Sequence, residues 1–213
     1  MPLRVDTIPT LLKPFYLLWA YLTAAFSYGL IKLWRLMVRF KWENEEAMSQ
    51  SPNNIYCIWH KNLIMSFMLP FNHPKTRVDV WMNHPAWFMK PIHIILHWKG
   101  VHKLVLGSSG NSGREAKKGV EDYLRKGFST SMAVDGPAGP PLVMKQGAMQ
   151  MALETGVPII CIKYIPQHYW VLPTWDKKVL PLPFSKVIVR LHGPYYVTAA
   201  NYNALAAVVE EAM

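Results

Sequence analysis

The chain has 213 residues and a formal charge of +10, from 23 Lys and Arg against 13 Asp and Glu, with 13% aromatic and only 17% charged residues. That length suits one α/β domain plus an appendage, with a core of its own. Excess basic charge beside abundant Trp, Tyr, Phe and Met fits an anionic membrane surface or a nucleic acid better than free cytosol. The two cysteines, Cys57 and Cys161, sit inside apolar runs, so no disulfide framework is implied.

The N-terminal segment favours the membrane. Phe15 to Ile31 carries no charge, Lys13 precedes it, and Lys32, Arg35, Arg39 and Lys41 follow. The run is at the short end of a membrane span and is diluted by Thr23, Ser27, Tyr28 and Gly29. No clear small-residue cleavage pattern follows, so a secretory signal peptide is not expected. Lys32, Arg35 and Arg39 recur at helical spacing while Leu33, Trp34, Leu36, Met37 and Phe40 cover the remaining surface, which describes a basic interfacial helix. In-plane or shallow insertion is therefore expected over a full span. The plainer reading is a helical arm packed on the domain. After the polar stretch Glu43 to Asn54 the pattern shifts to short strands and helices, placing a boundary near residue 50: an arm over 1–49 and an α/β domain over 50–213.

Within that domain, strands are predicted over 55–59, 77–82, 103–106, 129–134, 157–164 and 187–191. Helices are predicted over 61–69, 86–98, 113–126, 146–154 and 199–212, with 166–183 irregular. The helix at 113–126 carries the best signals: Ala116, Val120, Tyr123 and Leu124 share one face, and Ser112 with Glu115 reads as a capping box. Strands alternating with helices imply an α/β fold with a mostly parallel central sheet flanked by helices.

In such sheets function gathers at the carboxyl ends of strands. His60 follows the strand 55–59 and is placed to accept a proton there. The loop Gly107 to Gly113 joins a strand to the capped helix, so its N–H groups suit a phosphate or carboxylate, with Arg114, Lys117 and Lys118 adding charge. It lacks both the GK[ST] of a Walker loop and the dinucleotide GxGxxG pattern, so nucleotide binding is not supported. The third feature is Asp135-Gly136-Pro137-Ala138-Gly139-Pro140-Pro141, a glycine- and proline-dense turn with an acid where a strand ends.

Taken in order, Trp59-His60, Gly107-Ser108-Ser109, Asp135 to Pro140, Gln146-Gly147-Ala148 and Gly156-Val157-Pro158-Ile159 resemble the lysophospholipid acyltransferase-like superfamily. The similar branch is one long listed as a domain of unknown function, with a DGPxGP motif, which includes a type of late lipid A acyltransferase. Trp175-Asp176 followed by Leu182-Pro183-Phe184-Ser185 is also similar to that branch, and the resemblance covers about residues 50 to 195. It implies transfer of a fatty acyl chain from a thioester, acyl-CoA or acyl carrier protein, to a hydroxyl of a lysophospholipid or lipid A-type acceptor, with no cofactor. It further implies His60 as general base, and Asp135 with the turn Gly136, Pro137 and Gly139 as the floor beneath the acceptor head group. Ser108 and Ser109 stand where relatives bind phosphate or head group. Asn111 stands about where relatives carry an arginine, with Arg114 three residues on. A membrane location follows, at the cytoplasmic face, which is the inner membrane for a bacterial source.

One departure bears on catalysis. Most of the superfamily places an acid five residues after the histidine, and that position is Met65. Three readings stay open: Asp79 or Asp135 orients His60, His84 or Asn83 does so as a neutral partner, or the site is impaired. In the last case the chain is a membrane-bound module that binds lipid head groups. His93 and His97 are four apart, but Ile94 replaces the glutamate of a zinc protease helix, so no metal site is expected. No nucleic-acid-binding motif accompanies the basic charge, much of which flanks an apolar helix, so the expected partners are acyl donor, membrane lipid and anionic membrane surface, without nucleic acid.

Overall fold

The computed structural model describes residues 4–73, 76–107 and 113–213. In chain order its first half contains α1 (Lys13–Met37), β1 (Arg39–Glu43), β2 (Ile55–Ile58), α2 (Leu63–Met68), β3 (Asn72–His73), β4 (Thr76–Arg77), β5 (Val80–Asn83), α3 (Lys90–Trp98) and β6 (Lys103–Leu106). Its second half contains α4 (Gly113–Arg125), β7 (Thr130–Ala133), α5 (Gly147–Thr155), β8 (Ile159–Pro166), β9 (Tyr169–Val171), β10 (Val179–Pro181), β11 (Lys186–Tyr195) and α6 (Tyr202–Ala212). Seven strands form the central sheet in the order β1-β11-β8-β2-β7-β5-β6. From β8 to β6 every pairing is parallel, while β11 runs antiparallel to β8 and carries β1 parallel beside it. The sheet is mostly parallel and flanked by helices, as the strand-helix alternation predicts.

The central strands β2 and β8 are buried on both faces, so they read as continuous apolar runs. In β2, Tyr56 and Ile58 face a core built with Met65, Trp81, Ile95 and Leu96 under α1, α2 and α3. Ile55 and Cys57 face the other core, with Val120, Leu124, Met149 and Val209 under α4, α5 and α6. Each such aliphatic side chain taken from water contributes about 1.5–3 kcal/mol. Helix α4 buries Ala116, Val120 and Leu124, and Asn53 Nδ2 caps its end by donating to Leu124 O at 2.8 Å and Phe128 O at 3.0 Å. Helix α5 stops at Gly156, whose φ of 72° is the left-handed C-cap conformation that glycine adopts without strain.

Several boundaries differ from the sequence expectation. Helix α1 ends at Met37, and Arg39 and Phe40, expected as helix, belong to β1. Exposed Arg39 and Lys41 there alternate with half-buried Phe40 and Trp42, the period of an edge strand rather than a helix. The sheet therefore begins at Arg39, ahead of the expected boundary near residue 50. The stretch 166–183, expected irregular, contains the antiparallel hairpin of β9 and β10. Asp79, expected inside a strand, precedes β5 and donates its N–H to Ser129 O at 3.0 Å.

Helix α1 is docked along its length. Ala20 and Ala24 are fully buried, Tyr16 Oη donates to Trp87 O at 2.8 Å, and Trp34 Nε1 donates to Pro181 O at 2.9 Å. Tyr21 and Tyr28 pack their rings against Trp98. The opposite flank presents Phe15, Leu18, Leu22, Phe26, Leu33 and Leu36, each more than half exposed. By length and composition α1 is also apolar enough to cross a membrane.

Candidate active site

Parallel pairing of β2 with β7 builds the site. Ile58 pairs with Ala133. Carrying that register two residues past the strand ends sets His60 beside Asp135. His60 opens a short 3-10 turn after extended Trp59, so the chain bends as it leaves the sheet. Its backbone N–H donates to Asp135 Oδ1 at 2.9 Å. The same Oδ1 lies 3.3 Å from His60 Nδ1, with the Asp135 side chain 1% exposed and that of His60 18%. This ring contact is an electrostatic pairing off the line of a straight hydrogen bond, since Nδ1 is shielded from solvent and no acceptor is aligned with it.

The second carboxylate oxygen is held as well: Leu142 N–H donates to Asp135 Oδ2 at 3.1 Å. Burial alone pushes the Asp135 carboxyl up, but the His60 side chain and the N–H groups of His60 and Leu142 outweigh it, so the carboxyl sits below the ordinary carboxylate range. Leu142 takes a φ of 60°, a strained conformation for a branched side chain, at the point where the turn folds back onto Asp135. The result is a buried anion beside the imidazole of a histidine.

Glycine at position 136 is required by that imidazole. A Cβ there would overlap the His60 ring, standing 2.8 Å from Nε2 and closer still to Cε1 and Nδ1. The turn thus lies flat against one side of the ring. Trp175 approaches His60 with ring centroids 5.3 Å apart and planes at 51°. Gly139, with φ +69°, packs beneath Trp175, where a Cβ would come within 2.8 Å of Cζ3. Asp176 next to it is buried and ion-paired with Lys178, which anchors the Trp175 loop. The sequence pattern singled out Trp175 without giving it a place at the histidine. An aromatic residue before a buried acid, in a stretch otherwise rich in Pro and Lys, was the available signal.

The other expected site residues fall elsewhere. Asp79 is buried at the amino end of the sheet, paired with Arg77 and accepting the Ser129 N–H at 3.1 Å. That end is about 20 Å from His60 along the strand direction, so Asp79 is not brought to it. A cleft of about 280 Å³ lined by Met48, Asn54, Tyr56, Arg77 and Ser129 opens at this same end and does not serve His60. His84 follows β5 on the correct rim, but it is two strands over, about 10 Å away, and its Nδ1 accepts the Ala86 N–H at 3.1 Å. Arg114 is exposed at the start of α4, after β6 on that rim. Pro137 continues the turn beside Gly136. Ser108, Ser109 and Asn111, and the capping Ser112, lie outside the described residues. Met65, at the position of the usual acid, is fully buried in the core.

This mostly parallel sheet flanked by helices, with α1 packed against α2 and α3, is an α/β fold with a histidine at the strand ends. Among solved structures it is similar to the 1-acyl-sn-glycerophosphate (LPA) acyltransferase PlsC from Thermotoga maritima, with a TM-score of 0.55 and 16% identity over 93% of this chain and 84% of that one. No protein-family model matches the chain. An uncharacterized protein of Rickettsia prowazekii (strain Madrid E) is 21% identical over 193 residues, 91% of this chain and 83% of the relative.

Proposed function

We propose that the chain is an O-acyltransferase, moving a fatty acyl group from an acyl thioester to a hydroxyl of a lysophospholipid or lipid A-type acceptor at a membrane surface. The observation that carries this reading is the buried Asp135 carboxylate 3.3 Å from His60 Nδ1, beneath a glycine turn that leaves the imidazole in place. The likeness of the fold to a glycerophosphate acyltransferase supports it.

With Nδ1 turned to Asp135, Nε2 is the nitrogen that meets substrate. The acceptor hydroxyl oxygen attacks the thioester carbonyl and forms the new C–O bond while Nε2 takes the hydroxyl proton. The tetrahedral intermediate collapses with cleavage of the C–S bond, and the imidazolium returns the proton to the leaving sulfur. Asp135 stabilises the imidazolium and stays ionised, the role of the acid in a histidine-acid pair. No acyl-enzyme is required, because the acceptor oxygen is the nucleophile.

Arg114, exposed at the start of α4, supplies positive charge for a phosphorylated head group on the same rim, and the turn Gly136, Pro137 and Gly139 forms the floor under it. Helix α1 lies in the membrane plane, because its docked flank holds the domain against it from Tyr16 to Trp34 while the opposite flank enters lipid. The test is acyl transfer in membranes from acyl-CoA and acyl carrier protein donors to lysophosphatidate, other lysophospholipids and lipid A precursors, for wild type, H60A and D135N. Transfer by wild type that both variants lose supports the proposal. Vesicle binding without transfer from any donor points instead to a lipid-binding module.

A further inference from the structure

The run Leu182 to Ser185 and the hairpin before it take no part in proton transfer, yet both hold apolar side chains in the open. Leu182 N–H donates to His168 O at 2.9 Å and Ser185 Oγ donates to Leu182 O at 2.7 Å, closing a tight turn. Phe184 at its tip is 76% exposed with a φ of 63°. A left-handed phenylalanine costs about 1–3 kcal/mol, and no burial of its ring offsets that. In β9, Tyr169, Trp170 and Val171 are all about half exposed, although an alternating strand on a soluble surface hides every second side chain.

These residues adjoin the carboxyl-terminal end of α1. Phe184 N–H donates to Met37 O at 2.6 Å, and Arg39 Nη2 donates to Phe184 O at 3.4 Å. Trp34 bonds the backbone of β10 at Pro181, and its ring centroid lies 6.4 Å from that of Trp170. Exposed Leu33 and Leu36 lead along α1 toward Phe184. Exposed Lys32, Arg39, Lys41, Lys177 and Lys186 belong to these same segments. Aromatic residues at the headgroup level with a basic surround fit an anionic bilayer interface.

We propose that the β9–β10 hairpin and Phe184 form a second membrane contact, seated with α1 in the interface of an anionic bilayer. The proposal rests on the membrane reading of α1 and is independent of the acyl-transfer chemistry. The loop between β9 and β10 carries Trp175 to His60, so this contact sets the mouth of the histidine site at the lipid surface.

The test uses the full chain with Phe184→Cys labelled by an environment-sensitive fluorophore, which is selective because Cys57 and Cys161 are buried. Leu22→Cys on α1 and Lys118→Cys on α4 serve as companion sites. Vesicles of phosphatidylglycerol and phosphatidylcholine carry lipids spin-labelled high on the acyl chain. The expected result is a blue shift and quenching at positions 22 and 184 but not at 118. A Trp170→Ser/Phe184→Ser variant is expected to bind vesicles about tenfold more weakly with its melting temperature retained. Quenching at 22 without 184 overturns the proposal, as does a failure to bind vesicles. A blue shift at 184 without vesicles that grows with protein concentration assigns the patch to a second copy and overturns it too. All of these readings are independent of whether the protein transfers an acyl group.

Discussion

Replacing Gly136 by alanine isolates the link between the turn and the histidine. The φ of Gly136 is outside the left-handed region, so alanine fits the backbone, and the whole effect of the methyl falls on the His60 ring. That methyl would stand 2.8 Å from Nε2 and nearer to Cε1 and Nδ1. Restoring van der Waals contact moves the ring by more than about 1 Å, a displacement that costs about 100-fold in rate when it misaligns a reacting group. Loss of general-base function altogether costs about 10²- to 10⁴-fold, so kcat is expected to fall by at least about 100-fold. Overpacking costs about 1–3 kcal/mol of stability, a few degrees of Tm for each kcal/mol in a chain of this size. The assay is the initial rate of acyl transfer beside a thermal melt, with Gly29→Ala as control because nothing lies within 4 Å of a Cβ there. A G136A protein that melts as expected and transfers within about twofold of wild type would refute the placement of the imidazole against the turn.

D135N keeps the shape of the buried acid and removes its charge, and kcat is expected to fall by about 10²- to 10⁴-fold. Because the Asp135 carboxyl is held below the ordinary carboxylate range, the stability it contributes is present at neutral pH and is lost as the pH falls through that range and beneath it. Urea titrations against pH are expected to show this acid limb in wild type and not in D135N. Burial, then the nearby charge of Lys90, lowers His93 from the usual 6.5 to about 4, only partly offset by a backbone hydrogen bond at His84. The unfolded chain therefore binds a proton that the folded chain refuses. Acidification from pH ~6.5 to ~4 is expected to cost wild type about 3 kcal/mol more than His93→Leu, read from the same titrations. Burial, then the charge of Lys32, lowers Lys99 to about 7, while its ammonium donates to the carbonyls of Phe67 and Leu69 and sits 4.4 Å from the Phe71 ring centroid. Wild type is expected to gain stability over Lys99→Met as the pH rises from about 7 to about 10, by at most about 5 kcal/mol. A flat difference over that window rules out a titrating Lys99.

Much of the sheet was legible because its central strands are buried on both faces and helix α4 keeps a clean period. The strand at 103–106 and the helix from Gly113 follow the pattern directly, since Ala116, Val120 and Leu124 leave no alternative face. Arg39 and Phe40 were misread because Arg39 fits a helical series begun by Lys32 and Arg35, and only pairing with β11 shows the two-residue period to be the operative one. His60 and Asp135 were each visible as residues at strand ends. Their pairing stayed one of several open readings, because it depends on β2 and β7 being sheet neighbours although β5 and β6 intervene in sequence. For the same reason Asp79 stayed open as a partner: burial and charge are local properties, but the end of the sheet on which an acid falls is set by register. Trp175 reaches His60 through an anchor, Asp176 with Lys178, that forms only once the hairpin has folded.

In the proposed reaction His60 withdraws a proton from an acceptor hydroxyl as the acyl chain leaves its thioester. The most direct measurement is acceptor-dependent release of free thiol from an acyl thioester, followed together with the mass of the acylated lipid, for wild type and H60A on the same vesicles. Wild type is expected to release one thiol per lipid acylated, and H60A to react at least about 100-fold more slowly. Equal rates for the two proteins, or no acceptor-dependent thiol from wild type with any donor, contradict that reaction.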